Sequence, residues 1–367
     1  MTDFKLTALA HALPSSVPFV GPETQERARG EVFAARLGAN ENVFGPSPKA
    51  VRAMQDAVTG TWMYGDPESF DLIEALSTHL NIGTSNIIVG EGIDGLLGYI
   101  CRLFLDVGDA VVTSDGAYPT FNYHVSGFGG QLHKVPFKDD REDPDALLTK
   151  ARETGAKLIY ISNPDNPMGT WHDAATMQAM IDNVPEGCLL ILDEAYLETA
   201  PAGTAPALRP DTPQVIRMRT FSKAYGMAGA RVGYGIGHPD LINSFHKIRN
   251  HFGLNRIAQI GAIAALEDRE HLSDVLKQTA QARDALSQIA RDVGLEALPS
   301  ATNFVTIDCG RDGFFATNIL NALVERGLFL RMPFVAPQNR CIRVGCSTPE
   351  HLSLLHKHLA DVLSKLR

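Results

Sequence analysis

Cysteine is scarce in this chain and scattered. The five thiols, Cys101, Cys188, Cys309, Cys341 and Cys346, show neither the paired spacing of a metal site nor the dense pattern of a disulfide framework. Covalent staples are therefore not expected, and a reducing cytoplasm is the default setting. No apolar run approaches the ~18 residues of a membrane span. The first five residues carry charge with no long apolar stretch behind them, so no secretory leader is expected. Basic blocks are missing too: 33 basic and 42 acidic residues are spread along the chain for a net charge of −9, which argues against nucleic acid and anionic membranes as partners. His351, His356 and His358, spaced by five and two, do not share a helix face, and no metal site is expected.

What is present fits an enzyme with two cores. At 367 residues the chain exceeds one ordinary hydrophobic core, and 44% apolar residues suffice to fill two. Residues 1–35, with Pro14, Pro18 and Pro22, are expected to form an extended arm with one short helix and to complete part of a smaller domain. A large domain over 36–250 and linking helices with a small domain over 251–367 follow. Between Asn86 and Ile236, apolar strands alternate with helical patterns: Ile87–Val89, Ala110–Thr113, Leu158–Ile161, Leu189–Leu192, Val215–Met218 and Val232–Gly235. That alternation predicts an α/β fold around a mostly parallel sheet. Asp115, Asn163, Asp193 and Thr220 each fall at a strand end, where ligands of open α/β sheets gather.

The chemistry is concentrated in a few short runs. Thr220-Phe221-Ser222-Lys223, with Arg231 eight residues after the lysine, sets one amine beside hydroxyl and guanidinium groups suited to a phosphate. The covered strand Cys188-Leu189-Leu190-Ile191-Leu192 stops abruptly at Asp193-Glu194-Ala195-Tyr196. A carboxylate there needs a cationic partner, because an unpaired ion in a low-dielectric site is costly, and a protonated pyridine nitrogen is such a partner. A Schiff-base lysine, an acid for a ring nitrogen and phosphate anchors together point to pyridoxal 5′-phosphate (PLP). A second motif points elsewhere. Gly90-Glu91-Gly92-Ile93-Asp94-Gly95 after an apolar strand, with Asp115 twenty residues on, has the spacing of a dinucleotide fingerprint and leaves a nicotinamide-dependent oxidoreductase as an alternative. Both readings need a glycine-lined helix N-terminus that holds phosphate, but the nicotinamide one leaves Lys223, Arg231 and Asp193 without roles.

From about Phe19 to Ser347 the chain resembles the fold-type I PLP-dependent aminotransferases of class I/II. Leu37-Gly38-Ala39-Asn40-Glu41-Asn42, followed by Gly45-Pro46-Ser47-Pro48, is similar to the N-terminal signature of the histidinol-phosphate aminotransferase branch. Ser162-Asn163-Pro164-Asp165-Asn166-Pro167-Met168-Gly169 resembles that branch's Asn-Pro-x-Asn-Pro-Thr-Gly loop, with methionine in place of threonine. Asp193 to Tyr196, Ser222-Lys223 with Arg231, and Cys341-Ile342-Arg343-Val344-Gly345 complete the resemblance. Ile93 and Gly95 depart from it, as does Phe19, which stands where the branch keeps a tyrosine that helps hold substrate phosphate. The resemblance implies an aspartate aminotransferase-like fold, with a seven-stranded-type sheet in a large PLP-binding domain plus a smaller α/β domain. It also implies a cytoplasmic homodimer with shared active sites.

By the same resemblance Lys223, Asp193 and Tyr196 form the catalytic set. Lys223 carries the cofactor and takes the substrate Cα proton, while Asp193 keeps the ring nitrogen protonated. Ile93 and Asp94 offer backbone to the phosphate with Thr220, Ser222 and Arg231; Tyr118 stacks on the ring; Asn166 and Tyr196 donate to its 3′ oxygen. Tyr64 reaches the neighbouring subunit's phosphate. Arg343 and Arg331 hold the substrate anion, with Asn40 and Phe19 beside it. The implied reaction is a ping-pong transamination through pyridoxamine phosphate, of the histidinol-phosphate:2-oxoglutarate type. An aromatic or other amino-acid aminotransferase and a threonine-phosphate decarboxylase-like enzyme are the alternatives on the same scaffold, since fold does not separate them.

Overall fold

The alternation of strands and helices closes into one seven-stranded sheet and two smaller ones in a computed structural model, which describes residues 5–14 and 20–366. Phe19 lies outside the described residues. The large sheet contains β2 (Ile87–Glu91), β3 (Ala110–Ser114), β4 (Gln131–Val135), β5 (Leu158–Ser162), β6 (Leu189–Asp193), β7 (Val215–Thr220) and β8 (Val232–Gly237), with β1 (Ala35–Arg36) preceding them outside the sheet. Its order is β2-β8-β7-β6-β5-β3-β4, and only β8 runs antiparallel to its neighbours. The mostly parallel sheet expected from the sequence is what forms.

Burial explains why most of these strands were legible. Every residue of β5 and β6 is buried, because helices cover both faces and a continuous apolar run is the only sequence that suits such a position. Tyr160, Ile191 and Ile216 pack with Leu97, Ile100 and Phe121 on one face, while Ile159, Ile161 and Leu190 pack with Leu147, Met177 and Met180 on the other. The strand β4 carried no such signal. It is the edge strand Gln131-Leu132-His133-Lys134-Val135, with polar positions turned to solvent.

The second core gathers β9 (Glu296–Ala297), β10 (Phe304–Asp308) and β12 (Cys341–Gly345) in an antiparallel sheet, with β11 (Leu328–Phe329) paired in parallel to β1. The helices Arg269–Asp292, Gly313–Glu325 and Pro349–Leu366 pack on it through Leu286, Ile319 and Leu359. Helix Arg256–Glu267 packs instead with Pro48–Ala57 against the large sheet, through Ala258 and Ala262.

The expected single short helix in the first 35 residues is corrected to two, Ala8–Ala12 and Pro22–Arg29. The second has almost no apolar stripe, so its periodicity was silent. Proline at its first turn, a left-handed Gly30 at its end (φ 76°) and ion pairs from Arg36 to Glu23 (2.7 Å) and Glu26 (2.5 Å) hold it.

Candidate active site

The ends of β5, β6 and β7, the start of helix Gly92–Phe104 and the small-sheet strand β12 enclose a cavity of about 340 Å³. Lys223 reaches it from the turn after β7. Ser222 N donates to Thr220 Oγ1 at 3.0 Å, and the two hydroxyls meet at 2.9 Å, which pins that turn. Lys223 Nζ donates to Asn40 O at 3.2 Å and lies 5.5 Å from the centre of the Tyr196 ring.

Beside the lysine is a cradle for an anion. Arg231 sits in left-handed backbone (φ 57°), and its Nη1 donates to Ser222 Oγ at 3.3 Å. Its Nη2 approaches Asp94 Oδ2 at 3.5 Å. Gly92 opens the adjacent helix at φ 75°, a left-handed conformation that favours glycine, and a Cβ there would lie 2.4 Å from Arg231 Nη2 and push the guanidinium aside. Hydroxyls of Thr220 and Ser222, the Arg231 guanidinium and the helix N-terminus at Ile93 and Asp94 all line the cavity at this end.

Opposite conditions surround Asp193. It is buried at the end of β6, and its two hydrogen bonds come from neutral donors: Tyr160 Oη at 2.7 Å and Ala195 N at 2.9 Å. Burial pushes its carboxyl up from 3.8 to about 6. A cationic N–H placed in the cavity would restore its charge. Tyr160 was not singled out from sequence, although a lone hydroxyl inside a covered strand has to find a partner. Tyr118, also in the wall, donates to Asp94 Oδ1 at 2.7 Å.

A second cationic group lines the same cavity from the small sheet. Arg343, on β12, donates to Asn166 Oδ1 at 2.5 Å and to Gly38 O at 3.0 Å, while its Nε is buried without a protein partner. Burial pushes Arg343 down to about 10. Arg331 is backbone-paired with it through Arg343 N to Arg331 O at 2.7 Å, and burial lowers its pKa as well. Asn40, in left-handed backbone at φ 55°, donates to Tyr196 Oη at 3.0 Å and leaves its own Oδ1 without a protein partner. Met332, Pro333 and the 61% exposed Phe334 form an apolar mouth that sequence reasoning missed.

Of the catalytic, cofactor and substrate residues expected from sequence, Tyr64 is the one described residue that does not line this cavity. It is 79% exposed and packs its ring 4.7 Å from Phe252. Asp115 is also elsewhere, paired with Lys134 at 3.1 Å. The dinucleotide alternative fails on topology, because the fingerprint strand β2 is an edge strand beside antiparallel β8. Four strands separate it from β3, where Asp115 follows.

Residues 35–359 match the family described as aminotransferase class I and II. The chain belongs to that family. This aminotransferase is 31% identical over 352 residues to the histidinol-phosphate aminotransferase of Moorella thermoacetica, covering 95% of this chain and 90% of that protein. It is 49% identical to the histidinol-phosphate aminotransferase from Sinorhizobium meliloti solved in complex with pyridoxal-5′-phosphate, with a TM-score of 0.97 over 100% of both chains. An aspartate aminotransferase from Thermus thermophilus, 21% identical, shares the fold at a TM-score of 0.80 over 98% of this chain and 100% of that one. Among the described residues, no helix of this aminotransferase is long and apolar enough to cross a membrane.

Proposed function

We propose that this aminotransferase uses PLP to move an amino group from histidinol phosphate to 2-oxoglutarate, in one cavity that receives the two substrates in turn. The observation that carries the reading is the lining of a single cavity, which brings together an anion cradle at Thr220, Ser222 and Arg231, cations at Arg343 and Arg331, and Lys223 with Asp193. The donor set fits PLP, since the buried Asp193 carboxyl wants a cation and the cradle wants a phosphate. Bound there, PLP supplies the electron sink that makes the substrate Cα proton acidic.

The protein's own groups do the rest. Lys223 Nζ would hold the cofactor and, once released, would take the Cα proton and deliver it to the cofactor carbon rather than back to Cα. Asp193, steadied by Tyr160 and Ala195, keeps a proton on the ring nitrogen. Thr220, Ser222, Arg231 and the backbone at Ile93 and Asp94 hold the phosphate, with Tyr118 as the ring's platform. Asn166, whose oxygen is occupied by Arg343, keeps its amide N–H groups for the 3′ oxygen, together with Tyr196. Arg343 and Arg331 receive the substrate anion. The free, buried thiols suit the cytoplasm.

Steady-state rates with histidinol phosphate and with histidinol, each against 2-oxoglutarate, test the substrate. Removing the phosphate is expected to lower kcat/KM roughly 10²–10³-fold, as two charge-assisted contacts are lost. Equal use of both donors would contradict the assignment.

The proposal includes a homodimer with shared sites. Trp62, Tyr64, Phe70 and Phe252 are 82, 79, 59 and 51% exposed, with the Tyr64 and Phe252 rings packed together, and such exposed aromatics suit burial against a second copy. Tyr64→Ala and Lys223→Ala subunits are each expected to be inactive. Co-refolded, they should recover about a quarter of wild-type activity, since half of randomly assembled dimers carry one intact site. No recovery after demonstrated subunit exchange would place Tyr64 in its own chain's site.

A further inference from the structure

Strand β12 and the turn before it carry two arginines with different tasks. Arg343 faces the cavity, whereas Arg340, three residues earlier, lies outside it and crosses to the large sheet's side. Its Nη1 and Nη2 donate to Asp140 Oδ1 and Oδ2 at 3.1 and 2.6 Å, and its Nε donates to Asp308 Oδ2 at 2.6 Å on neighbouring β10. Gln338 Nε2 adds a contact to Asp140 Oδ1 at 3.2 Å. Both ends of the fork are used, and the Arg340 and Asp140 side chains are only 25% and 18% exposed. Such a bidentate, shielded pair holds geometry far better than a solvent-facing one.

Asp140 is fixed from its own side. Asp139 and Asp140 both adopt left-handed backbone, at φ 50° and 60°. They form a two-residue turn closed by Lys138 N to Arg141 O at 2.8 Å and Arg141 N to Lys138 O at 3.0 Å. This turn is fastened to the loop that carries Asn166. Thr170 Oγ1 donates to Asp140 O at 3.0 Å, Arg141 Nη1 donates to Trp171 O at 3.2 Å, and Asp165 N donates to Thr170 O at 2.9 Å. Asn166 in turn accepts from Arg343. The contacts therefore make a ring, from β12 through Arg340, Asp140, Thr170 and Asn166 to Arg343 and back to β12.

We propose that Arg340, through its ion pair with Asp140, is a positioning residue that sets where Arg343 presents its guanidinium to the anionic end of the substrate. The proposal rests on Arg343 as the substrate-anion residue. Inside the cavity Arg343 is held by two neutral oxygens and has an unpartnered Nε; Thr306 Oγ1 to Pro167 O at 2.9 Å and Ala301 N to Gly169 O at 2.8 Å also tie the small sheet to the Asn166 loop, but none of these contacts sets a charged pair against a drift of β12 relative to the large sheet. The pair outside does. Losing it leaves the cofactor cradle untouched, because Thr220, Ser222 and Arg231 lie on other elements.

Kinetics of the holoenzyme with 2-oxoglutarate as the varied acceptor test this. Arg340→Ala and Asp140→Ala should each raise KM roughly 5- to 20-fold, with kcat at saturation and bound PLP within about twofold of wild type. The double variant should be no worse than Arg340→Ala alone, as expected for two halves of one contact. Asp140→Asn, which keeps the shape and removes the charge, should shift KM in the same direction, and Arg340→Lys should recover part of the loss. An unchanged KM in Asp140→Asn and Arg340→Ala, additive effects in the double variant, or a fall in kcat at constant KM overturns the proposal. Arg343→Gln separates the two layers. If it too leaves KM unchanged, the role of Arg343 has failed; if it raises KM while Arg340→Ala does not, only the positioning role has.

Discussion

Lys223→Ala is expected to lower turnover by roughly 10⁴-fold or more, because one amine both carries the cofactor and moves the Cα proton, and nothing else in the cavity can replace it. The variant should still bind PLP, since Thr220, Ser222, Arg231 and the helix N-terminus at Gly92 remain to hold the phosphate. Peptide mapping of borohydride-reduced holoenzyme gives the complementary result. Reduction should fix the cofactor to Lys223 in the wild type and to no residue in Lys223→Ala. Label on a different lysine would refute the assignment.

Asp193→Asn should slow Cα proton abstraction roughly 10²–10⁴-fold, because the amide keeps the shape of the site but cannot hold a proton on the ring nitrogen. The same substitution has an opposite effect on the empty protein. With Asp193 raised to about 6 in the fold against 3.8 ordinarily, the native apoprotein retains a proton that the unfolded chain has already lost. Stability therefore falls as pH rises through the interval from about 4 to 6 and stays reduced above it, by about 3 kcal/mol. Asparagine has no proton to lose. Apo Asp193→Asn should melt above the apo wild type at pH 7–8, roughly match it below about pH 4, and melt below the wild type once PLP is bound. Calorimetry of both proteins, apo and holo, reads the crossing; an apo variant less stable than wild type at pH 8 would remove the role of Asp193 as a carboxylate awaiting a cation.

The sequence disclosed those residues whose chemistry and neighbours are local. Thr220, Ser222 and Lys223 fall within four consecutive positions, and Asp193 ends an apolar run that only a covered strand explains. Distance in the chain hid the rest. Tyr160 lies 33 residues before the carboxylate it donates to, and its role appears only when β5 and β6 pair in register. Arg340 and Asp140 are 200 residues apart, in turns of different parts of the fold, and no pattern in either segment announces the other. Local motif also misled: Gly90 to Gly95 does open a helix beside a phosphate cradle, but the partner strand is antiparallel β8, a fact of long-range pairing that no spacing rule contains. The edge strand β4 and the polar helix Pro22–Arg29 were silent for a simpler reason, since neither buries a continuous apolar face.

The central claim is tested most directly by a half-reaction. Holoenzyme is mixed rapidly with a single donor and no oxo acid, and the visible band of the bound cofactor is followed through one turnover. Histidinol phosphate should bleach that band completely, and 2-oxoglutarate added afterwards should restore it. A band that persists with histidinol phosphate but is bleached by phenylalanine or tyrosine, or carbon dioxide released from threonine phosphate, would contradict the account.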